Sequence, residues 1–91
     1  MNRPTALWVS PVSSLAGVAR HVLDVAQVGI PGWRMVVSCP SGPLADRLRE
    51  MDVEVVDLPV ETGTAVRSLR ATIQQLGPDI VHSHLAKADF L

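Results

Sequence analysis

The sequence predicts an α/β protein: a partial doubly wound parallel sheet of four strands, in the order 3-2-1-4, with helices on both faces. Three observations predict it. Four short apolar runs, rich in β-branched residues and bounded by Gly, Pro, Asp or Ser, recur along the chain at even spacing. Segments with apolar residues three and four apart lie between them, so strands and helices strictly alternate. Alternation of this kind joins parallel strands through helical crossovers, and crossovers of the usual right hand put the first strand between the second and the fourth.

The elements follow in order. Ala6-Leu7-Trp8-Val9 is the first strand. Leu15, Val18, Val22, Val25 and Ala26 form the stripe of the first helix, which Gly29 and then Pro31-Gly32 stop. Trp33-Arg34-Met35-Val36-Val37-Ser38 is the second strand. Ser41 is placed to cap the second helix, with Pro43 in its first turn, Leu44, Leu48 and Met51 as the buried stripe, and Asp46, Arg47, Arg49 and Glu50 on the wet face. Val53-Glu54-Val55-Val56-Asp57-Leu58 is the third strand. Thr62 or Thr64 caps the third helix, whose stripe is Val66, Leu69, Ile73 and Leu76 and whose end is Gly77-Pro78. Ile80-Val81-His82 is the fourth strand, and the start of another helix follows. Residues 29–32 and 59–63 are connections rather than linkers, so the 91 residues read as part of one small domain. Four parallel strands leave edges that are normally paired or covered, and the stop inside a helical pattern at Leu91 reads as a truncation.

Composition removes several function classes. A formal net charge of −1 leaves no basic footprint for nucleic acid. Two Trp, one Phe and no Tyr are too few for a base-stacking platform. Cys39 is the only cysteine, so no internal disulfide forms, which fits a reducing, cytoplasmic compartment. Its thiol reads as a small buried hydrophobe. The apolar run after Met1-Asn2-Arg3-Pro4-Thr5 is too short for a signal peptide, and no stretch reaches the roughly 18 apolar residues of a membrane span.

Open α/β sheets bind ligands beyond the carboxyl ends of their strands, at the point where the strand order reverses. Here that point lies between the first and fourth strands, which selects the loops 10–17 and 83–87. The first loop feeds a helix N-terminus, a natural anion site. Gly17 either admits a phosphate or sugar close to the backbone or only lets helix and strand pack closely; both readings stand. The G-x-G-x-x-G fingerprint and the P-loop lysine pattern are absent, which disfavours classical dinucleotide or ATP binding. His82 and His84 face one side of an extended strand. No third ligand follows at a recognisable spacing, so a metal is not expected. His82 reads as a hydrogen-bonded core histidine, His84 as a pocket residue, and His21 as a surface residue. Lys87 opposes the dipole of the next helix and is either ligand-facing or solvated.

Three segments together carry a resemblance. Ser13 to Ala26 reads SSLAGVARHVLDVA, Pro40 to Leu48 reads PSGPLADRL and is followed by VEVVDLP, and Pro78 to Ala88 reads PDIVHSHLAKA. The last is similar to a P-D-(I/V)-(I/V)-H-x-H-x-x-K-A pattern. Over essentially the whole chain these segments resemble the N-terminal, Rossmann-like half-domain of the retaining glycosyltransferases of family 4, which have the GT-B fold. The resemblance implies transfer of a sugar from an activated, nucleotide-linked donor to a sugar or lipid-linked acceptor, without a metal or other cofactor. It implies that Ala16 and Gly17 form the loop near the donor diphosphate and that Ser14, His84 and Lys87 line the acceptor side. Ala16 stands where the family usually has glycine, and Ala19 where an acidic residue is common. No catalytic residue is assigned, because the family's catalytic histidine comes later in the chain. The acidic pair that grips the donor belongs to a C-terminal domain absent from these residues, so they are expected to be inactive alone. For the parent enzyme the resemblance allows association with the inner face of a membrane.

Two readings of other classes stand beside it. A stand-alone flavodoxin-like receiver or ligand module needs acidic residues after the first strand, where this chain has Ser10-Pro11; only Asp57 stands near the third. An assembly half-domain would use the open fourth strand to form a homo-oligomer.

Overall fold

The computed structural model describes residues 3–11 and 18–83. Its elements are β1 (Thr5–Val9), α1 (Val18–Val28), β2 (Arg34–Cys39), α2 (Pro43–Glu50), β3 (Glu54–Asp57), α3 (Thr62–Leu76) and β4 (Ile80–Ser83). The four strands form one sheet in the order β3-β2-β1-β4, and every neighbouring pair is parallel. This is the α/β architecture that the alternating pattern predicts.

Period-two alternation divides the apolar strand residues between two cores. On one face Val37 and Cys39 pack with Ala19 and Val22 of α1 and with Leu44, Ala45 and Leu48 of α2, while Trp8 and Met35 join half-buried. On the other face Leu7, Val9, Val36 and Leu58 pack against Ala65, Leu69, Ile73 and Leu76. So α1 and α2 share one face and α3 takes the other. Crossovers of a single hand require this, because the chain walks from β1 out to β3 and then returns past β1 to β4.

The amino end of β1 is tied on both sides. Arg34 donates its N–H to the Pro4 carbonyl at 2.8 Å. Asp79 donates its N–H to the Thr5 carbonyl at 2.8 Å, and its Oδ2 accepts the Thr5 N–H at 2.8 Å. Asp79 thus closes a two-bond bracket just ahead of β4, where the backbone alone would supply one bond.

Three local details differ from the sequence expectations. Ser41 does not cap α2; the N-cap is Gly42, with no side-chain cap bond, and Pro43 opens the helix. The Ser41 hydroxyl instead donates to Asp57 Oδ1 at 3.0 Å, across to the end of β3. The cap of α3 is Glu61 rather than Thr62 or Thr64. Its two carboxylate oxygens accept the N–H groups of Gly63 and Thr64 at 3.0 and 2.8 Å, and the Thr64 hydroxyl at 2.6 Å. An anion is favoured at this positive end of the helix. Along α3 the half-buried row that packs on the sheet runs Ala65, Leu69, Ile73, Leu76, and Val66 stays 55% exposed. At the other end Gly77 takes φ 56 as the left-handed C-cap, the conformation that favours glycine there. The turn after α2 uses Asp52 at φ 61, one of the few side chains that tolerate this region.

The Glu61 cap carries a pH dependence. The Thr64 hydroxyl, then the Thr64 and Gly63 N–H groups, hold the Glu61 carboxyl below the usual carboxylate range. With the folded-state pKa depressed, the stabilisation is present above the unfolded value and is lost as pH falls through the folded one. Glu61→Gln is therefore expected to flatten the acid limb of a stability–pH curve from urea unfolding. An acid limb identical to that of the parent chain would remove the cap from the account.

Candidate functional site

The chain leaves β1 toward β2 on one side and enters β4 on the other, so the point of reversal lies between β1 and β4. At the carboxyl ends, Val9 is the register partner of both Ser38 and Ser83. Ser10 extends the ladder one residue further, donating its N–H to the Ser38 carbonyl at 2.9 Å. The residues expected near the donor diphosphate, Ala16 and Gly17, and on the acceptor side, Ser14, His84 and Lys87, lie outside the described residues. The fold positions the described residues that flank them. Pro11 follows β1, Val18 opens α1, and Ser83 ends β4, which lies beside β1.

Next to this point three rings meet. Trp8 of β1 has its ring centroid 4.5 Å from that of His82 on β4 and 6.2 Å from that of His21 on α1, with both imidazoles tilted 46° to the indole. Trp8 and His82 are register partners, so both point to the face that carries α1. The expectation of a buried His82 is corrected: the residue is exposed. The reason is its strand. β4 is an edge strand of the described sheet, and its apolar neighbours Ile80 and Val81 are themselves 50% and 45% exposed. His21 is exposed, as expected, but its ring contact was not foreseen. The signal was in the sequence: alternation turns Trp8 toward the first helix, and His21 lies near that helix's start.

Two hydroxyls near the same end are also notable. Ser10 and Ser38 are 0% and 1% exposed, and the Oγ of each has no hydrogen-bond partner among the described residues. By alternation Ser38 shares the α3 face with Val36, whereas Ser10 shares the α1 face with Trp8.

Cys39 also ends its strand at this edge, fully buried. Burial is the main cause that pushes its thiol up to about 11; Arg49 opposes the rise and Asp57 adds to it. The thiolate is the reactive form, so the folded chain holds an inert thiol. Labelling with a thiol reagent at pH 8 is expected to be slow in the native protein and rapid in 8 M urea, the denaturant concentration being about that of routine unfolding. Rapid native labelling would contradict the buried position.

Among the described residues there is no group of three or more His, Cys, Asp or Glu able to hold a metal ion. No helix among them is long and apolar enough to cross a membrane. Comparison with protein-family models, with curated proteins and with solved structures yields no match for this chain, so the functional reading rests on its motifs and on the geometry of the switch point.

Proposed function

We propose that these residues are the acceptor-side part of a retaining glycosyltransferase, which moves a sugar from a nucleotide-linked donor to a sugar or lipid-linked acceptor. One observation carries the reading: the pairing of β1 with β4, with Val9 opposite Ser83. It makes neighbours of the strand ends from which two of the three motif segments depart, the most specific one among them. A sheet with β4 elsewhere would separate them.

In this reading α1 presents its positive N-terminal end to the donor diphosphate, with Ala16 and Gly17 in the loop that leads into it. His84 offers an imidazole that both donates and accepts, and Lys87 an ammonium group, to the acceptor. Ser14 completes that side. The acidic pair that grips the donor in the family resembled has no counterpart among the 91 residues, so transfer is proposed for the parent enzyme and not for these residues alone. A cytoplasmic parent, peripheral to the inner face of a membrane when the acceptor is lipid-linked, belongs to the same proposal.

The test is an assay of the longest natural polypeptide that carries these residues, against a panel of nucleotide sugars, with the product anomer read by NMR. Transfer with retained configuration is the expected result. Neither transfer nor donor hydrolysis across the panel would overturn it. A second reading, assembly through the edge of β4, is favoured by the exposure of Ile80 and Val81. It requires the 91 residues to form an oligomer, and a clean monomer in light scattering removes it.

A further inference from the structure

We propose that a cavity at the amino ends of β2 and β3 binds a free α-amino acid with an apolar side chain. The proposal stands apart from the transferase reading, because this cavity lies at the pole of the sheet opposite the switch point.

The cavity has a volume of about 300 Å³. That is the small end of the usual range for ligand sites, roughly 300–1,000 Å³. Its floor is apolar. Ala26 of α1, Ile30 and Trp33 of the connection that follows, Met35 of β2 and Val53 just ahead of β3 line it, and each is half-buried. Ala26, Met35 and Val53 also pack against the α1–α2 core, so the floor is an extension of that core. The Trp33 N–H donates to the Ile30 carbonyl at 2.9 Å, which ties the connection into a turn at the cavity wall.

Four charged side chains border this floor, and two of them hold each other. Arg34 Nε donates to Glu54 Oε1 at 3.1 Å and Arg34 Nη2 to Glu54 Oε2 at 2.5 Å, a fork-to-fork pair. Arg3 and Asp52 are exposed, and neither side chain has a hydrogen bond or ion pair among the described residues. One guanidinium and one carboxylate thus remain for a ligand. The helix ends add to the negative side. α1 stops at Val28 and α2 at Glu50, so two carboxyl ends, each worth about half a negative charge, border the cavity. These ends and Asp52 favour an ammonium group, and Arg3 favours a carboxylate, whose two oxygens match its fork. An apolar floor with one open charge of each sign is the complement of an amino-acid zwitterion. An amine or an acid alone leaves one of the two charges unanswered. A phosphate sets its charge against Asp52 and both helix ends.

The experiment titrates the isotope-labelled 91-residue chain and follows the indole N–H resonance of Trp33 by NMR; Trp33→Phe identifies that resonance by removing it. The ligands are leucine, methionine and phenylalanine. Hydrocinnamate and phenethylamine carry the phenyl ring with one charge each, and glycine carries both charges without the side chain. At least one of the three apolar amino acids is expected to give a saturable shift, and to bind about tenfold or more tighter than hydrocinnamate, phenethylamine and glycine, the size of one lost contact to a charged group. Arg3→Gln and Asp52→Asn are each expected to weaken that binding by about tenfold for the same reason. Asn tolerates the φ of 61 at position 52, and Arg3 is exposed ahead of β1, so both variants leave the fold in place, which circular dichroism checks. Three results would overturn the site: no saturable shift with any of the three amino acids, a single-charge analogue or glycine binding as tightly as they do, or amino-acid binding that neither variant weakens. The nucleotide-sugar assay reads the opposite pole, so either proposal can fail without the other.

Discussion

Leu7→Ala is expected to lower stability by about 3 kcal/mol, within the range of roughly 2–5 kcal/mol for truncating a buried leucine. Leu7 is 0% exposed and sits on β1, which has a strand on each side. Its side chain packs in the core that also holds Val9, Val36 and Leu58, with Leu69 and Ile73 of α3 closing it. A sheet centre cannot collapse into the space without breaking its ladder, so the cavity persists and its cost adds to the lost burial. Total stability for a domain is only about 5–15 kcal/mol, so a loss of this size is a large fraction of it. The melting temperature should fall by about 12–24 °C, at roughly 4–8 °C per kcal/mol for a domain of this size. Urea and thermal unfolding measure both. Val66→Ala on the outer side of α3 is the control, expected within about 0.5 kcal/mol because the side chain is largely in water. Equal losses at Leu7 and Val66 would mean that α3 does not cover the sheet as described.

Asp79→Ala is expected to cost about 1–3 kcal/mol, the penalty for leaving a buried donor without its acceptor. The donor is the N–H of Thr5, a residue only 7% exposed, and the carboxylate that accepts it comes from the far end of the chain. Asp79→Asn keeps an oxygen at the same place and should cost less than about 1 kcal/mol, since a neutral amide oxygen still accepts, though more weakly than a carboxylate. Amide hydrogen exchange gives a local reading: the Thr5 amide should exchange much faster in the alanine variant and little faster in the asparagine one. Unchanged protection in both would show that the bracket does not hold β1.

Much of the fold was legible because the strands announce themselves. Runs such as Val36-Val37 and Val55-Val56 sit between turn residues, and right-handed crossovers leave one sensible order for four alternating units. What escaped was decided by tertiary position. His82 looked buried because parallel strands usually are, but β4 is at an edge of the described sheet, where its side chains are exposed. Thr62 and Thr64 looked like caps by residue type, yet Glu61 has two oxygens and spans both N–H groups at once. Ser41 looked like a cap as well and was drawn away by Asp57 on a neighbouring strand, which no local pattern encodes. At the candidate site the place was readable from topology, and the motif residues from their spacing. The ring cluster was not, because Trp8, His21 and His82 become neighbours only when β1, α1 and β4 assemble.

The central position of β1 has a consequence for how the protein is made. β1 leaves the ribosome before the three strands it is described with, and the bracket that ties it to β4 joins residues 74 positions apart. At about 5–20 residues per second, the β4 edge of β1 waits roughly 4–15 s for its partner. During synthesis β2, α1 and α2 can already cover one face, while Leu7 and Val9 remain open on the other until α3 emerges. The nascent chain therefore presents a half-finished sheet with a bare apolar face and an unpaired edge, the kind of surface that ribosome-associated chaperones and neighbouring nascent chains meet first.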